Sequence, residues 1–195
     1  MAGRPREFDR EAALEKARDA FWARGFEGVS MADLVDALGL ASARIYAAFG
    51  SKAELFREAV ALYETGDGGF ADRALAEEPT AARAIERMLQ EAAALYTRPG
   101  AALGCMVVSS AANLSPDNAG LGAWLAGHRR ARRNSIVARI ARGQAEGDVA
   151  REIDPEAMGD CFAAILNGFS VEARDGVGER RLLATVPVAM RLLGH

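Results

Sequence analysis

Cysteine is nearly absent from this 195-residue chain, with Cys105 and Cys161 the only two. Two thiols so far apart offer neither a disulfide scaffold nor a Cys-based zinc site. Histidine is as scarce, with His128 inside the chain and His195 at its end. Gly-rich phosphate loops and the nucleophile elbow are both missing. The acids fall at helix caps and solvent-facing positions rather than in inward pairs, so no catalytic set, metal or cofactor is expected. No apolar run reaches the roughly 20 residues that a membrane-spanning helix needs. The start, Met1-Ala-Gly-Arg-Pro-Arg6, lacks the apolar stretch of a secretory signal, which leads to an expectation of a cytoplasmic protein. Aromatic residues make up only 7% of the chain, and an excess of positive charge is missing too. The formal net charge is −3, and residues 1–52 carry eight Lys+Arg against eight Asp+Glu.

What is present is alanine and leucine, in a chain that is 50% hydrophobic with its apolar residues at helical spacing. That composition favours helix over sheet and predicts an all-α protein. Asp9 reads as the N-cap of a first helix, with Phe8 and Ala13 placed for a hydrophobic staple, and Gly25 ends it. Ser30 with Asp33, and Ser51 with Glu54, have the spacing of capping boxes at two further helix starts. The second of these helices extends past Tyr63, and Gly66, Gly68 and Gly69 then weaken it. Another helix is predicted from about Thr80 to Arg98, stopped by Pro99-Gly100. Cys105–Val108 has the look of a strand but no partner. Ser115-Pro116 and Asp154-Pro155 each read as an N-cap followed by a first helical residue. The first opens a long helix to Gly147 with Leu121, Leu125, Ile136 and Ile140 on its apolar track. The second opens a helix through Phe169. A final helix begins near Glu179 and is predicted to kink at Pro187.

The stretch 31–52 is the most informative. Leu34, Val35 and Leu38 share one helical face, and Gly39 stands where a tight turn calls for positive φ. The following short helix buries Ile45 and Phe49 and turns Ser42, Ala43, Arg44, Tyr46 and Lys52 outward. Small residues at the front of a short helix, with polar ones around them, suit insertion into a DNA groove.

Residues 10–56 resemble the DNA-binding domain of the TetR family of transcriptional regulators. The pattern is Ala17, Phe21, Gly25-Phe26, Ser30, Leu34, Ala37, Gly39-Leu40, Ile45-Tyr46, Phe49, Ser51-Lys52 and Leu55-Phe56. The resemblance implies an N-terminal three-helix head over 1–56. A helical effector-binding and dimerisation domain is implied over 57–195. It further implies a homodimer that binds a palindromic double-stranded operator and is released by a small-molecule effector. Repression is the family's common mode. The alternative is a ligand-insensitive DNA-binding dimer with a constitutive or architectural role.

By the same resemblance, Tyr46 and Lys52 fall at positions that hold operator phosphates, which set register without reading sequence. The plain alternative for Tyr46 is a half-buried ring packed on the first helix. Ser42, Ala43 and Arg44 fall at positions that enter the major groove. Arg44 departs from the small Ser or Thr usual there, so it either forks onto a guanine or binds phosphate. Ala41 departs from the usual capping Ser or Thr, which leaves Ser42 for that role. Arg4 and Arg6 resemble the basic arm that precedes the head and reaches an A·T-rich minor groove; the alternative is a solvated terminus. With so few cations, modest non-specific affinity and a shallow salt slope are expected.

Downstream, the basic run His128-Arg-Arg-Ala-Arg-Arg133 reads chiefly as a salt-bridged or solvated face, although Arg129 can still pair with an acidic ligand. Met88, Tyr96, Cys105, Trp124, His128, Phe162 and Asn167 combine apolar area with sparse polarity and are candidates for an effector pocket; each alternatively packs the core. Cys105 beside a Gly loop is a candidate thiol sensor if exposed, with plain burial the default for it and for Cys161. Phe162, Ile165, Phe169, Leu183, Val186 and Met190, on wide apolar faces of the last two helices, are the expected dimer interface.

Overall fold

The structure is a computed structural model that describes residues 8–100, 103–111 and 114–194. Helix α1 (Arg10–Arg24) opens where the Asp9 side chain accepts the Ala12 N–H at 3.0 Å, and Gly25 closes it at φ 70°. Phe8 is half-buried on the same core as Ala13, as a staple requires. Helix α2 (Met31–Leu38) starts with a reciprocal capping box: Ser30 Oγ accepts the Asp33 N–H, and Asp33 accepts the Ser30 N–H at 2.7 Å. Gly39 then takes the left-handed conformation (φ 67°, ψ 29°) that turns the chain into α3 (Ser42–Phe49).

Two local expectations are corrected here. Ala41, with no side-chain acceptor, is the N-cap of α3; Ser42 is already helical and caps nothing. Helix α4 (Lys52–Thr65) has only half a box. Ser51 Oγ accepts the Glu54 N–H at 3.1 Å, but the Ser51 N–H donates to Phe49 O at 3.0 Å.

A single 3₁₀ turn at Asp67–Gly69 leads into α5 (Phe70–Glu77), a helix the glycines had masked. Next come α6 (Ala81–Tyr96), capped by Thr80, and the one-turn α7 (Met106–Ser110). The stretch with strand-like composition is therefore the entry to a helix, and no strand occurs among the described residues. Helix α8 (Ala119–Glu146) is the longest, and α9 (Pro155–Arg174) crosses it with Gly159 at the contact. A Cβ at Gly159 would collide with Val137, so glycine sets the closeness of that crossing. Helix α10 (Glu179–Met190) runs through Pro187 and ends in a 3₁₀ turn.

Two cores result. One joins α5, α6, α8, α9 and α10 through residues such as Ile85, Leu89, Ile136, Ile140 and Phe162. The other joins α1 to α4 around Phe21, Leu34, Ile45, Phe49 and Phe56, and it also takes in Met106, Val107, Leu121 and Leu125. The second core therefore runs across residue 56 into α7 and α8. No helix among the described residues is long and apolar enough to cross a membrane.

Candidate nucleic-acid interface and ligand cavity

Helix α3 is held by two anchors four residues apart. Ile45 and Phe49 are 2% and 4% exposed, which forces Ala43, Tyr46 and Ala47 to the outer side. Tyr46 is 46% exposed, on the outward side of α3. Ser42 and Arg44 are half-buried at the edges of that face, and the Arg44 guanidinium lies 4.9 Å from the Phe8 ring centroid. Arg4 and Arg6 lie outside the described residues.

The orientation of α3 is fixed from beneath by Arg10. Its guanidinium sits 4.4 Å from the Phe49 centroid, bonds Glu58 at 2.8 Å, and reaches Ala48 O at 3.3 Å. Arg24 is paired with Asp33 at 2.8 Å. These two cations hold the head together, and Arg44 and Lys52 lie beside the outer face. The Lys52 ammonium lies 4.2 Å from the Phe26 centroid, and burial pushes its pKa down while Glu27 and Asp33 partly offset this. Glu27 in turn accepts the Ser115 N–H and the Asn118 side chain, both at 2.8 Å. Those bonds, the backbone one foremost, hold the Glu27 carboxyl below its ordinary pKa.

A second assembly lies between α4, α6, α7, α8 and α9. Tyr63, Glu64, Tyr96, Cys105, His128, Arg129, Arg132 and Asn167 line a small cavity of about 40 Å³. Of the seven residues proposed from sequence, four meet there: Tyr96, Cys105, His128 and Asn167. Met88 and Phe162 do not; both are fully buried in the α5–α10 core. Trp124 stands behind the cavity, its ring 4.3 Å from the His128 ring, and packs on the head core. Sequence reasoning missed Tyr63 and Glu64. The signal available was the spacing Trp124, His128, Arg132, which stacks three side chains on one face of α8 beside the end of α4.

Inside the cavity His128 Nδ1 lies 2.9 Å from Glu64. Burial, above all, pushes the Tyr63 and Tyr96 phenols well above their usual pKa, with Cys105 beside both adding to the effect. The chain enters at Gly104, where the backbone is gripped from two sides. Trp22 Nε1 donates to Gly104 O at 2.8 Å, and Ser170 Oγ accepts the Cys105 N–H at 2.7 Å. Arg174 reaches both Leu103 O and Ala23 O, at 3.2 and 3.3 Å. An unbroken line of rings also joins head to cavity. Phe26 meets Phe56 at 5.2 Å, Phe56 meets Trp124 at 6.3 Å, and Trp124 meets His128.

The last two helices differ from expectation in which side they bury. Phe162, Phe169, Val186 and Met190 are between 0% and 6% exposed within the chain's own core, so they have little area left for a partner. Ile165 and Leu183 are half-buried and pack against that core. Outside that core, Ala184, Val188 and Leu192 line a groove of about 540 Å³ together with Arg181 and Thr185, and Ile165 of the expected set borders it. Val188 and Leu192 are 59% and 45% exposed.

Comparison with known proteins agrees with this arrangement. Residues 13–59 match the model for bacterial regulatory proteins of the tetR family, and residues 81–175 match the tetracyclin repressor-like C-terminal domain. The chain is 29% identical over 191 residues to the HTH-type transcriptional repressor ComR of Escherichia coli K12, covering 97% of this chain and 91% of that protein. The repressor BdcR of the same organism is also 29% identical, over 189 residues, with 97% and 91% covered. Among solved structures, a cysteine-substituted form of the TetR family regulator CifR, complexed with 26-bp double-strand operator DNA, superposes with a TM-score of 0.92. It is 39% identical and covers 97% of this chain and 98% of that one. By both sequence and fold, the chain belongs to the TetR family of transcriptional regulators.

Proposed function

We propose that this protein is a repressor that binds a palindromic operator as a homodimer and releases it when a small molecule enters the cavity beneath α4 and α8. The observation that carries the reading is α3 itself. Its two buried anchors present Ala43, Tyr46 and Ala47 outward, with Arg44 at one edge and Lys52 just beyond its end. Small side chains let the helix approach base edges, while the phenol and ammonium reach phosphates and set register. Similarity to ComR, BdcR and the operator-bound CifR structure supports the repressor reading.

Dimerisation follows from the outer face of α9 and α10. Exposed Val188 and Leu192 on adjoining turns form a contiguous apolar strip, and such strips mark protein contacts. Two heads about 34 Å apart then read successive major grooves. A ligand that fills more than the small cavity of about 40 Å³ presses on α4 and α8, which supply Tyr63, Glu64 and His128 to its wall. Head and cavity share the ring line and the Gly104 grip, so that pressure favours a different head spacing and weakens operator binding. The second reading is a constitutive DNA-binding dimer, favoured by how small the cavity is, at about 40 Å³.

Selection of bound sequences from random duplex DNA tests the core of this reading. An enriched palindrome is expected for the wild type, lost in the Arg44→Ala/Tyr46→Ala double variant. Equal recovery of all sequences at low salt, from a confirmed dimer, would rule out operator recognition.

A further inference from the structure

Arg129 is unlike its neighbours in the basic run. His128 is paired with Glu64, Arg132 with Asp72, Arg133 with Asp160 and Glu156, and Arg130 is exposed. Arg129 makes no hydrogen bond or ion pair among the described residues, and its Nη1 is buried. Tyr63 lines the same cavity and is 2% exposed; its buried hydroxyl stands beside the Cys105 thiol and the Met106 N–H but makes no hydrogen bond of normal geometry. Buried polar groups are as a rule hydrogen-bonded, so two unmet groups on one cavity call for an explanation.

Both groups can donate, and one of them is a cation. An apolar guest would leave both unmet, and a cationic guest would be repelled by Arg129. The obvious acceptor nearby, the Glu64 carboxylate, is already engaged by His128. The raised pKa of the buried Tyr63 phenol keeps it protonated and therefore a donor. An oxyanion satisfies both groups, and charge-assisted bonds to guanidinium are the stronger kind. About 40 Å³ is room for a head group of very few atoms.

We propose that this cavity binds a small carboxylate, seated on the Arg129 guanidinium and the Tyr63 hydroxyl beside the Cys105 thiol. That its entry releases the operator rests on the repressor reading above; the binding itself does not.

The neighbouring thiol gives a direct assay. Iodoacetate and iodoacetamide transfer groups of nearly equal size to a thiolate with loss of iodide, but only the first is an anion. Cys161, half-buried on α9 and absent from the cavity lining, serves as the internal reference. Alkylation rates at both cysteines are read by peptide mass spectrometry on the full-length protein. At Cys105, the iodoacetate-to-iodoacetamide ratio is expected to exceed that at Cys161 by about tenfold, as one charge-assisted hydrogen bond supports. Arg129→Gln and Tyr63→Phe should each draw it toward the Cys161 value, while Arg129→Lys retains most of it. An unchanged Cys161 rate and helical circular dichroism establish that each variant is folded.

Equal ratios at the two cysteines overturn the proposal. So does a preference that persists in Arg129→Gln, or a Cys105 inert to both reagents while Cys161 reacts. Propionate, added to the operator complex, separates the two readings. Successful selective labelling without release leaves the carboxylate site standing and removes its effector role. Failed labelling with intact operator binding removes the site and leaves the repressor.

Discussion

Tyr46 owes its availability to Ile45 and Phe49, since burying those two turns the phenol outward. A phosphate contact predicts that Tyr46→Phe weakens operator binding by about 1 kcal/mol without altering the preferred sequence. Fluorescence anisotropy across a panel of operator variants checks this: the loss should be uniform. Glu27 makes a second prediction, this time on pH. Its pKa is lowered in the folded protein, first by the Ser115 N–H and then by Asn118. A depressed carboxyl contributes stability above its unfolded pKa and loses that contribution as pH falls toward the folded value. Acidification through that window should therefore destabilise the wild type more than Glu27→Gln, as read from urea midpoints. Tyr46 was legible as an outward residue from helical spacing alone. Tyr63 was not, because a tyrosine late in an apolar helix has the same pattern whether it fills core or lines a cavity.

Between elements, the decisive positions are glycines, each for a different reason. Gly39 sits at φ 67° with nothing near a would-be Cβ, so Gly39→Ala meets backbone strain alone, about 1 kcal/mol. Gly104, at φ 75°, would press a Cβ to 2.6 Å from Ser170 O and 2.8 Å from Ser170 Oγ. Gly104→Ala should cost clearly more, since it adds a collision to the strain and breaks the Cys105–Ser170 hydrogen bond. Chemical denaturation of the two variants side by side gives the comparison, and an equal loss would contradict it. Helix starts were the most readable elements, because Asp9, Ser30, Ser51, Thr80 and Asp154 are side chains that themselves bond the first turn. Helix α5 escaped because Gly68 and Gly69 lie directly before it. Both are buried, with Tyr63 packed against Gly68, so they mark close approach rather than a loop.

For the molecule as a whole, the question is which surface meets a second copy. Val188→Glu or Leu192→Glu places a charge on the exposed strip and should yield a folded monomer with greatly weakened operator binding, as measured by light scattering and anisotropy. Substituting Phe162 or Val186 instead should unfold the chain, because both are buried in the α5–α10 core. Periodicity had marked Phe162, Phe169, Val186 and Met190, which the chain's own core buries, together with Ile165, which lines the exposed groove. Helices α9 and α10 are apolar on two sides, and sequence alone does not say which side the rest of the chain covers.

The core that crosses residue 56 has a consequence for inheritance. Phe21, Phe56, Met106 and Leu125 share one interior, and Trp22 and Glu27 bond directly to residues more than eighty positions away. Such a head is not a portable cassette. Transplanting residues 1–56 onto a distant relative's body would strip α1 and α4 of Met106, Val107, Leu121 and Leu125 at once. New operator specificities in this lineage should therefore arise by substitution along the outer face of α3, which touches none of that shared interior, rather than by exchange of whole heads. Calorimetry would register the same constraint as a single unfolding transition for head and body together.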